Sequence, residues 1–410
     1  MRASTPSSPT LTRTPPSTPS AYLGTPVLLL MAVASGLCAG GNYFNQPLLH
    51  SIATDLGVSD GTAAFTVTLA QVSYALGLLF LVPLGDKLER RSLAVDLMLL
   101  AAGGQLISGL SHHIAWLALG TAMAGLFSVA AQVLVPMAAA LSDPHRSGRA
   151  VGIVMSGLLI GILAARSVAG LLSGLGGWNT VYWVSSGVML VVAAALWRQL
   201  PVSRNAAHVG YGEALRSLGT LLYRHPRLRS RALLGALSFA SVSVLFSTMG
   251  LLLSGPDHGL DDVAIGLIGL AGVAGALMAN VAGRLADRGL EQHTTTAGVA
   301  LLAVAWLVLW LGGTGSLLCF IAGMLVIDLA LQAVHISNQN VVYQLDPAAR
   351  SRINSVYMTS YFIGAASGSA LGSVAWQHGG WTGASLLGLA LAGLAAVALG
   401  YDRRVVHSGR

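Results

Sequence analysis

Apolar residues in this chain run in blocks of about 20, hydrophobic on every side, rather than in the alternation of a half-buried strand or the single stripe of a soluble helix. Polar breaks separate twelve such blocks. Six lie near 25 to 44, 63 to 84, 92 to 111, 114 to 141, 150 to 174 and 179 to 198, and six near 232 to 254, 264 to 283, 294 to 313, 315 to 342, 354 to 377 and 382 to 401. At about 1.5 Å of helical rise per residue, each block can cross a hydrocarbon core roughly 30 Å thick. The pattern predicts an all-α membrane protein with twelve transmembrane helices. Composition agrees, because a chain 54% hydrophobic and 9% charged has too few polar groups to cover a water-soluble surface.

Charge orients the blocks. Of 22 Lys and Arg, all but Arg166 fall in alternate gaps between them. The gaps with Lys87, Arg90 and Arg91, with Arg146 and Arg149, with Arg284 and Arg288, and with Arg350 and Arg352 belong to one side, and the opposite gaps carry only acids such as Asp55, Asp60, Asp257, Asp261 and Asp262. By the positive-inside rule the basic side is cytoplasmic, and an even number of spans puts both termini there. The net charge of +7 is dispersed over short loops, so it speaks for membrane orientation and not for nucleic-acid binding. The expected organisation is a disordered cytoplasmic tail over 1–22, rich in Ser, Thr and Pro, and a six-helix half over 23–198. A basic linker over 199–231 leads to a second six-helix half over 232–402 and a tail over 403–410.

The halves repeat. Asp143-Pro144-His145-Arg146-Ser147-Gly148-Arg149 returns as Asp346-Pro347-Ala348-Ala349-Arg350-Ser351-Arg352, an offset of 203 residues. The same offset lays Gly161 on Gly364 and Gly176-Gly177-Trp178 on Gly379-Gly380-Trp381. A parallel repeat of two six-span halves is a transporter architecture, with a solute site expected near the midplane between them. Trp178 and Trp381, near span ends, read as interfacial anchors.

Two loop motifs sharpen this reading. Pro83-Leu84-Gly85-Asp86-Lys87-Leu88-Glu89-Arg90-Arg91 follows span two, and Gly283-Arg284-Leu285-Ala286-Asp287-Arg288-Gly289 follows span eight. In each, glycine permits a sharp reversal, while an acid can cap the next helix and pair with Arg. Such a contact, made in one conformation and broken in another, would latch a cytoplasmic gate. These motifs resemble the loop signature of the major facilitator superfamily, over a stretch from about Leu23 to Tyr401. The second copy fits closely; the first has Glu89 in the usual Asp place and an added Asp86, so either acid could be the latch. The resemblance implies the major facilitator fold of two pseudo-symmetric halves, with spans one, four, seven and ten lining a central cavity. Asn45-Gln46-Pro47-Leu48-Leu49 and the run from Asp328 to Gln339 resemble a bacterial branch of efflux carriers in that superfamily.

Charges inside spans cost about 2.5–3.5 kcal/mol each on insertion scales, so each needs a reason. Arg166 in span five could bind an anionic group or neutralise Asp328 across the two halves. Gly157, Gly161 and Gly170 surround it on a small-residue face suited to close helix packing, with Gly364 and Gly368 the counterparts in span eleven. This resembles the antiporter motif of superfamily exporters, except that Arg166 stands where that motif has Pro. In span ten, Asp328, Gln332, His335 and Gln339 recur at steps of four, three and four residues, which aligns them on one helical face. Asp328 and His335 are the candidate proton carriers, with Arg166 as their partner. Further candidates for the substrate cavity are Asn42, Tyr43, Gln71, Gln132, Asn338, Tyr357 and Tyr361. Pro136 is expected to bend span four.

The chain has no Gly-x-x-x-x-Gly-Lys-Ser/Thr loop to harness ATP and no His-Glu-x-x-His metal motif, so no cofactor is expected and an enzyme is disfavoured. The expectation is a secondary active transporter of a bacterial inner membrane, working as a monomer by alternating access. Its partners would be the lipid bilayer, a small organic substrate and protons. Proton-coupled export leads, and an uptake symporter or a transport-inactive receptor are the alternatives.

Overall fold

The computed structural model describes residues 22–143, 146–203, 210–272, 285, 289–313, 315–346 and 350–408. The first half runs Thr25–Gly40, Asp60–Phe80, Arg90–Gly109, Ile114–Phe127 with Ala130–Ala140, Ser147–Gly176 and Thr180–Gln199, which are spans one to six. The second runs Pro226–Ser254 for span seven, Asp262–Ile268 at the start of span eight, Glu291–Gly313 and Leu317–Gln344 for nine and ten. Arg350–Ser408 then holds spans eleven and twelve, joined where Gly380 turns to φ 54°. The remainder of span eight, and with it Gly283, Asp287 and Arg288 of the second loop motif, lies outside the described residues, as does the expected tail up to residue 21. The architecture is the twelve-helix, two-half membrane fold that the sequence predicts.

The repeat is visible in the backbone. Gly177, with φ 92°, ends span five as Gly380 ends span eleven, at the same offset of 203 residues. Only glycine adopts such angles cheaply, which explains why these residues mark both turns. Ser59 caps the helix of span two by accepting from Thr62 N–H, and Asp261 caps that of span eight by accepting from Ala264 N–H. The packing glycines repeat as well. Gly157 and Gly161 bring span five against Ala32 and Gly36 of span one, and Gly364 and Gly368 bring span eleven against Ala236 and Ala240 of span seven; a Cβ at any of the four would meet backbone. Gly170 instead faces Asp262 and Gly266 of span eight, so it joins the two halves.

Several elements differ from the expectation. The linker contains a helix, Tyr211–Arg224, whose Leu218 and Leu221 are buried and whose Tyr211 hydroxyl donates to Phe80 O at 2.9 Å. Span seven begins at Pro226, favoured in a first turn because its missing N–H is not needed there, so Arg231 belongs to a helix and not to the linker. The helix of span twelve runs on to Ser408, with no glycine or proline between Gly400 and Gly409 to stop it. Span four is interrupted at Ser128 and Val129, and Pro136 lies inside the helix that follows. Trp178 and Trp381 are buried: one donates to Asp55 Oδ2 at 2.9 Å, the other to Leu309 O at 3.1 Å. Both staple helix ends inside the protein instead of anchoring them in the interface.

Candidate functional site

The halves are tied together at the end bearing the acidic loops. Asp262 Oδ2 accepts from Ser51 Oγ at 2.6 Å and from Ser173 Oγ at 2.8 Å, tying span eight to both the exit of span one and span five. One turn deeper, Ser167 Oγ donates to Gly266 O at 2.8 Å. Further in, Thr68 of span two donates to Ser369 of span eleven at 3.0 Å.

Below this seal lies a cavity of about 120 Å³ between the halves. Spans one, four, five, seven, ten and eleven contribute to it. Arg166, Asp328 and His335 all line it, together with Tyr43, Gln132, Gln332, Gln339 and Tyr361. The wall continues through Met155, Tyr343 and Asn354 toward the basic loops. In span ten Asp328, Gln332, His335 and Gln339 all line this one space.

Arg166 is 4% exposed and anchored by neutral groups. Its Nε donates to Gln46 Oε1 at 2.6 Å, and its guanidinium lies over the Phe246 ring at 3.6 Å, with Tyr43 at 5.1 Å. The expected neutralisation by Asp328 is not a direct bond: among the described residues no ion pair within 4.0 Å joins the two. Asp328 is 8% exposed and its Oδ2 has no hydrogen-bond partner; Gln332 Oε1, one turn on, has none either. His335 Nδ1 shares a hydrogen bond of 3.1 Å with the Tyr357 hydroxyl and packs on the Tyr361 ring at 4.5 Å. Tyr361 in turn stacks on Phe239 at 4.1 Å.

Four expected cavity residues sit elsewhere. Asn42 bonds back to Cys38 O and Ala39 O within the first half. Gln71 donates to Ser243 across the half interface at 3.5 Å. Tyr357 stands behind His335, filling the space left by Gly235. Asn338 Oδ1 accepts from Arg231 at 3.1 Å. Span ten has two polar faces, and helical spacing separates them: Asn338 lies off the face of Asp328 and His335.

The Asn338 contact belongs to a buried cluster for which the sequence reading had no place. Arg231 and Asp402 are both 0% exposed and form an ion pair of 2.8 Å between spans seven and twelve. Arg231 also donates to Thr295 Oγ1 at 3.0 Å and to Gln292 Oε1, and Ser230 Oγ donates to Asp402 Oδ1 at 2.6 Å. Arg166 is therefore not the lone arginine buried within a helix of the bundle. Lying at the edge of an apolar block, Arg231 looked like one more loop charge; its signal was Asp402, an acid at the end of the last apolar block.

The first loop motif is described in part, with backbone but no side-chain description for Asp86. Glu89 caps span three by accepting from Arg91 N–H at 2.9 Å and Ser92 N–H at 2.8 Å, and it also accepts from Ser203 N–H at 2.9 Å. Arg90 Nε donates to Gly85 O at 3.4 Å, while Arg91 donates to Leu200 O and lies over Trp197 at 4.5 Å. All these partners are in the first half or at its exit, so the motif here fastens span three to the end of span six.

Comparison with known proteins gives four matches. The family model described as Major Facilitator Superfamily matches residues 31–369. The chain is 51% identical over 374 residues, 91% of its own length and 95% of the relative's, to the "Uncharacterized transporter YgaY" of Escherichia coli O157:H7. It is 30% identical over 287 residues, 68% of its length and 71% of the relative's, to a "Chloramphenicol resistance protein" of Streptomyces lividans. Among solved structures, a bacterial homologue of the human lysosomal transporter Spinster aligns with a TM-score of 0.74 at 14% identity, over 93% of this chain and 97% of that one.

Proposed function

Because this chain belongs to the Major Facilitator Superfamily, we propose that it is a proton-coupled exporter of small organic molecules, working as a monomer in a bacterial inner membrane with both termini in the cytoplasm. The observation that carries the reading is the arrangement around one cavity. Asp328 and His335 on span ten look across it toward Arg166 on span five, and the Asp328 carboxylate is left without a hydrogen-bonding partner at Oδ2. A carboxylate held in this way is poised to gain and lose a proton as access alternates between the two sides of the membrane. The name of the Streptomyces lividans relative supports export.

The geometry supports one cycle. With the acidic-loop end closed by Asp262 and its two serines, the cavity communicates toward the basic loops and loads there. Breaking those bonds while the opposite end closes would release the substrate outward and let a proton reach Asp328. The Glu89 motif would act at the other gate, setting the position of span three against span six.

The test is Asp328→Asn in proteoliposomes. Net transport driven by a pH gradient should vanish while exchange of labelled for unlabelled substrate persists, since exchange needs the site and the moving halves but no protonation cycle. Asp328→Asn protein that still accumulates substrate against a gradient would sink the assignment. Proton movement with the substrate, in place of movement against it, would turn the exporter into an uptake symporter.

A further inference from the structure

We propose that this cavity is built for a small zwitterion of amino-acid size, whose anionic group rests on Arg166 and whose cationic group rests on Asp328. The inference deepens the transporter reading and rests on it for the identity of the site.

Arg166 and Asp328 line the same cavity with opposite charges, and they are not paired with each other. Each is more than nine-tenths buried. The partners of Arg166 are a neutral amide and two aromatic faces, which orient the guanidinium without cancelling its charge. Asp328 Oδ2 and the neighbouring Gln332 Oε1 are acceptors with no donor. Holding two buried charges apart is costly, and the cost is relieved by whatever supplies both missing partners at once. A monoanion would satisfy Arg166 alone, a monocation Asp328 alone, and a neutral solute neither. A molecule carrying an acid and an amine satisfies both.

Size and lining agree. A cavity of about 120 Å³ is comparable with one of ~150 Å³ that holds a single benzene. The same wall carries Leu159, Ile162, Phe239 and Tyr361, which suit an aliphatic or aromatic side chain. The other titratable groups facing the space are Tyr43, Tyr343, Tyr361 and His335, so Asp328 is its carboxylic acid. An ammonium group and a proton cannot both neutralise that carboxylate, so arrival of one displaces the other, which is the exclusion an antiporter requires. Because Arg166 belongs to the first half and Asp328 to the second, the bound zwitterion also bridges the bodies that must close around it.

The experiment is equilibrium binding to the purified full-length protein, read by thermal shift and calorimetry. The probes are alanine, valine, leucine and phenylalanine, each with its N-acetyl form, which keeps only the anion, and its amide, which keeps only the cation. At least one free amino acid should bind, and both of its singly charged forms should bind about 10- to 100-fold more weakly, the loss expected when a buried charge stays unpaired. Arg166→Gln should bind that amino acid and its amide equally; Asp328→Asn should bind it and its N-acetyl form equally. The derivative series on the unchanged protein decides the matter even if a variant does not fold. A singly charged form binding as tightly as its parent, or no amino acid binding at all, overturns the proposal. Zwitterion binding without proton movement in vesicles would keep this inference and discard proton coupling. Proton-driven transport restricted to a singly charged solute would do the reverse.

Discussion

At the scale of the residue, Glu89 is the clearest case of a side chain tuned by its neighbours. Burial on its own would raise its pKa, but the N–H groups of Ser203, Ser92 and Arg91 and the Ser92 hydroxyl all donate to the carboxylate and hold it at about 2. The folded value lies below the unfolded one of about 4.3, so the stabilisation is complete above that pH and disappears as pH falls toward 2. Glu89→Gln should therefore lower the melting temperature near neutral pH, by an amount matching the loss of a helix cap, about 0.5–2 kcal/mol. The gap to the unchanged protein should narrow as the pH is taken from 5 to 3. A gap that stays constant would mean that the charge of Glu89 is not what matters. Residues of this kind were legible where the signal was local: Asp328 and His335 from helical spacing, Arg166 from being alone in an apolar block. Gln46 and Phe246 as the seat of Arg166 were not, because spans one, five and seven meet only in three dimensions. Arg231 was misread for a different reason, since a charge at the edge of a block looks alike whether water or Asp402 receives it.

At the scale of the element, short apolar blocks with small-residue faces were enough to place the helices and to mark the faces on which they pack closely. Gly161 and Gly364 are where they are because each lets a helix backbone touch another at the same point of the repeat. What the blocks could not reveal is the linker helix Tyr211–Arg224, too short and too charged to register as a span, or the contact of Asp262 with Ser51 and Ser173. That contact makes the start of span eight a latch. Asp262→Ala removes two hydrogen bonds to a charged acceptor, about 1.5–3 kcal/mol each, and should shift the molecule toward opening at the acidic-loop end. Spin labels at Thr54 and Asp257, one on each half, would show this as a new population at longer distance. An unchanged distance distribution would mean that the close packing of Gly170 and Gly266 holds that end without help.

At the scale of the whole molecule, the repeat and the alternation of basic and acidic loops together constrain orientation. Cysteines at Ala207 in the linker and at Ser408 should react with an impermeant thiol reagent only when the cytoplasmic face is exposed. Labelling of either in intact cells would invert or break the topology. The two halves are alike in plan but not in chemistry, and the Arg231–Asp402 pair, fully buried between spans seven and twelve, is the largest departure. Its consequence concerns biogenesis. As the chain is made, Arg231 arrives near the start of span seven, while the carboxylate that pairs with it arrives five spans later. Until then its long side chain can reach the interface, and it can be buried at little cost only once Asp402 is in place. The second half should therefore reach its final packing only when span twelve brings Asp402 to Arg231. A chain cut before Asp402 would have to bury Arg231 without its partner or leave it exposed, so charge neutrality in this half doubles as a signature of completed folding.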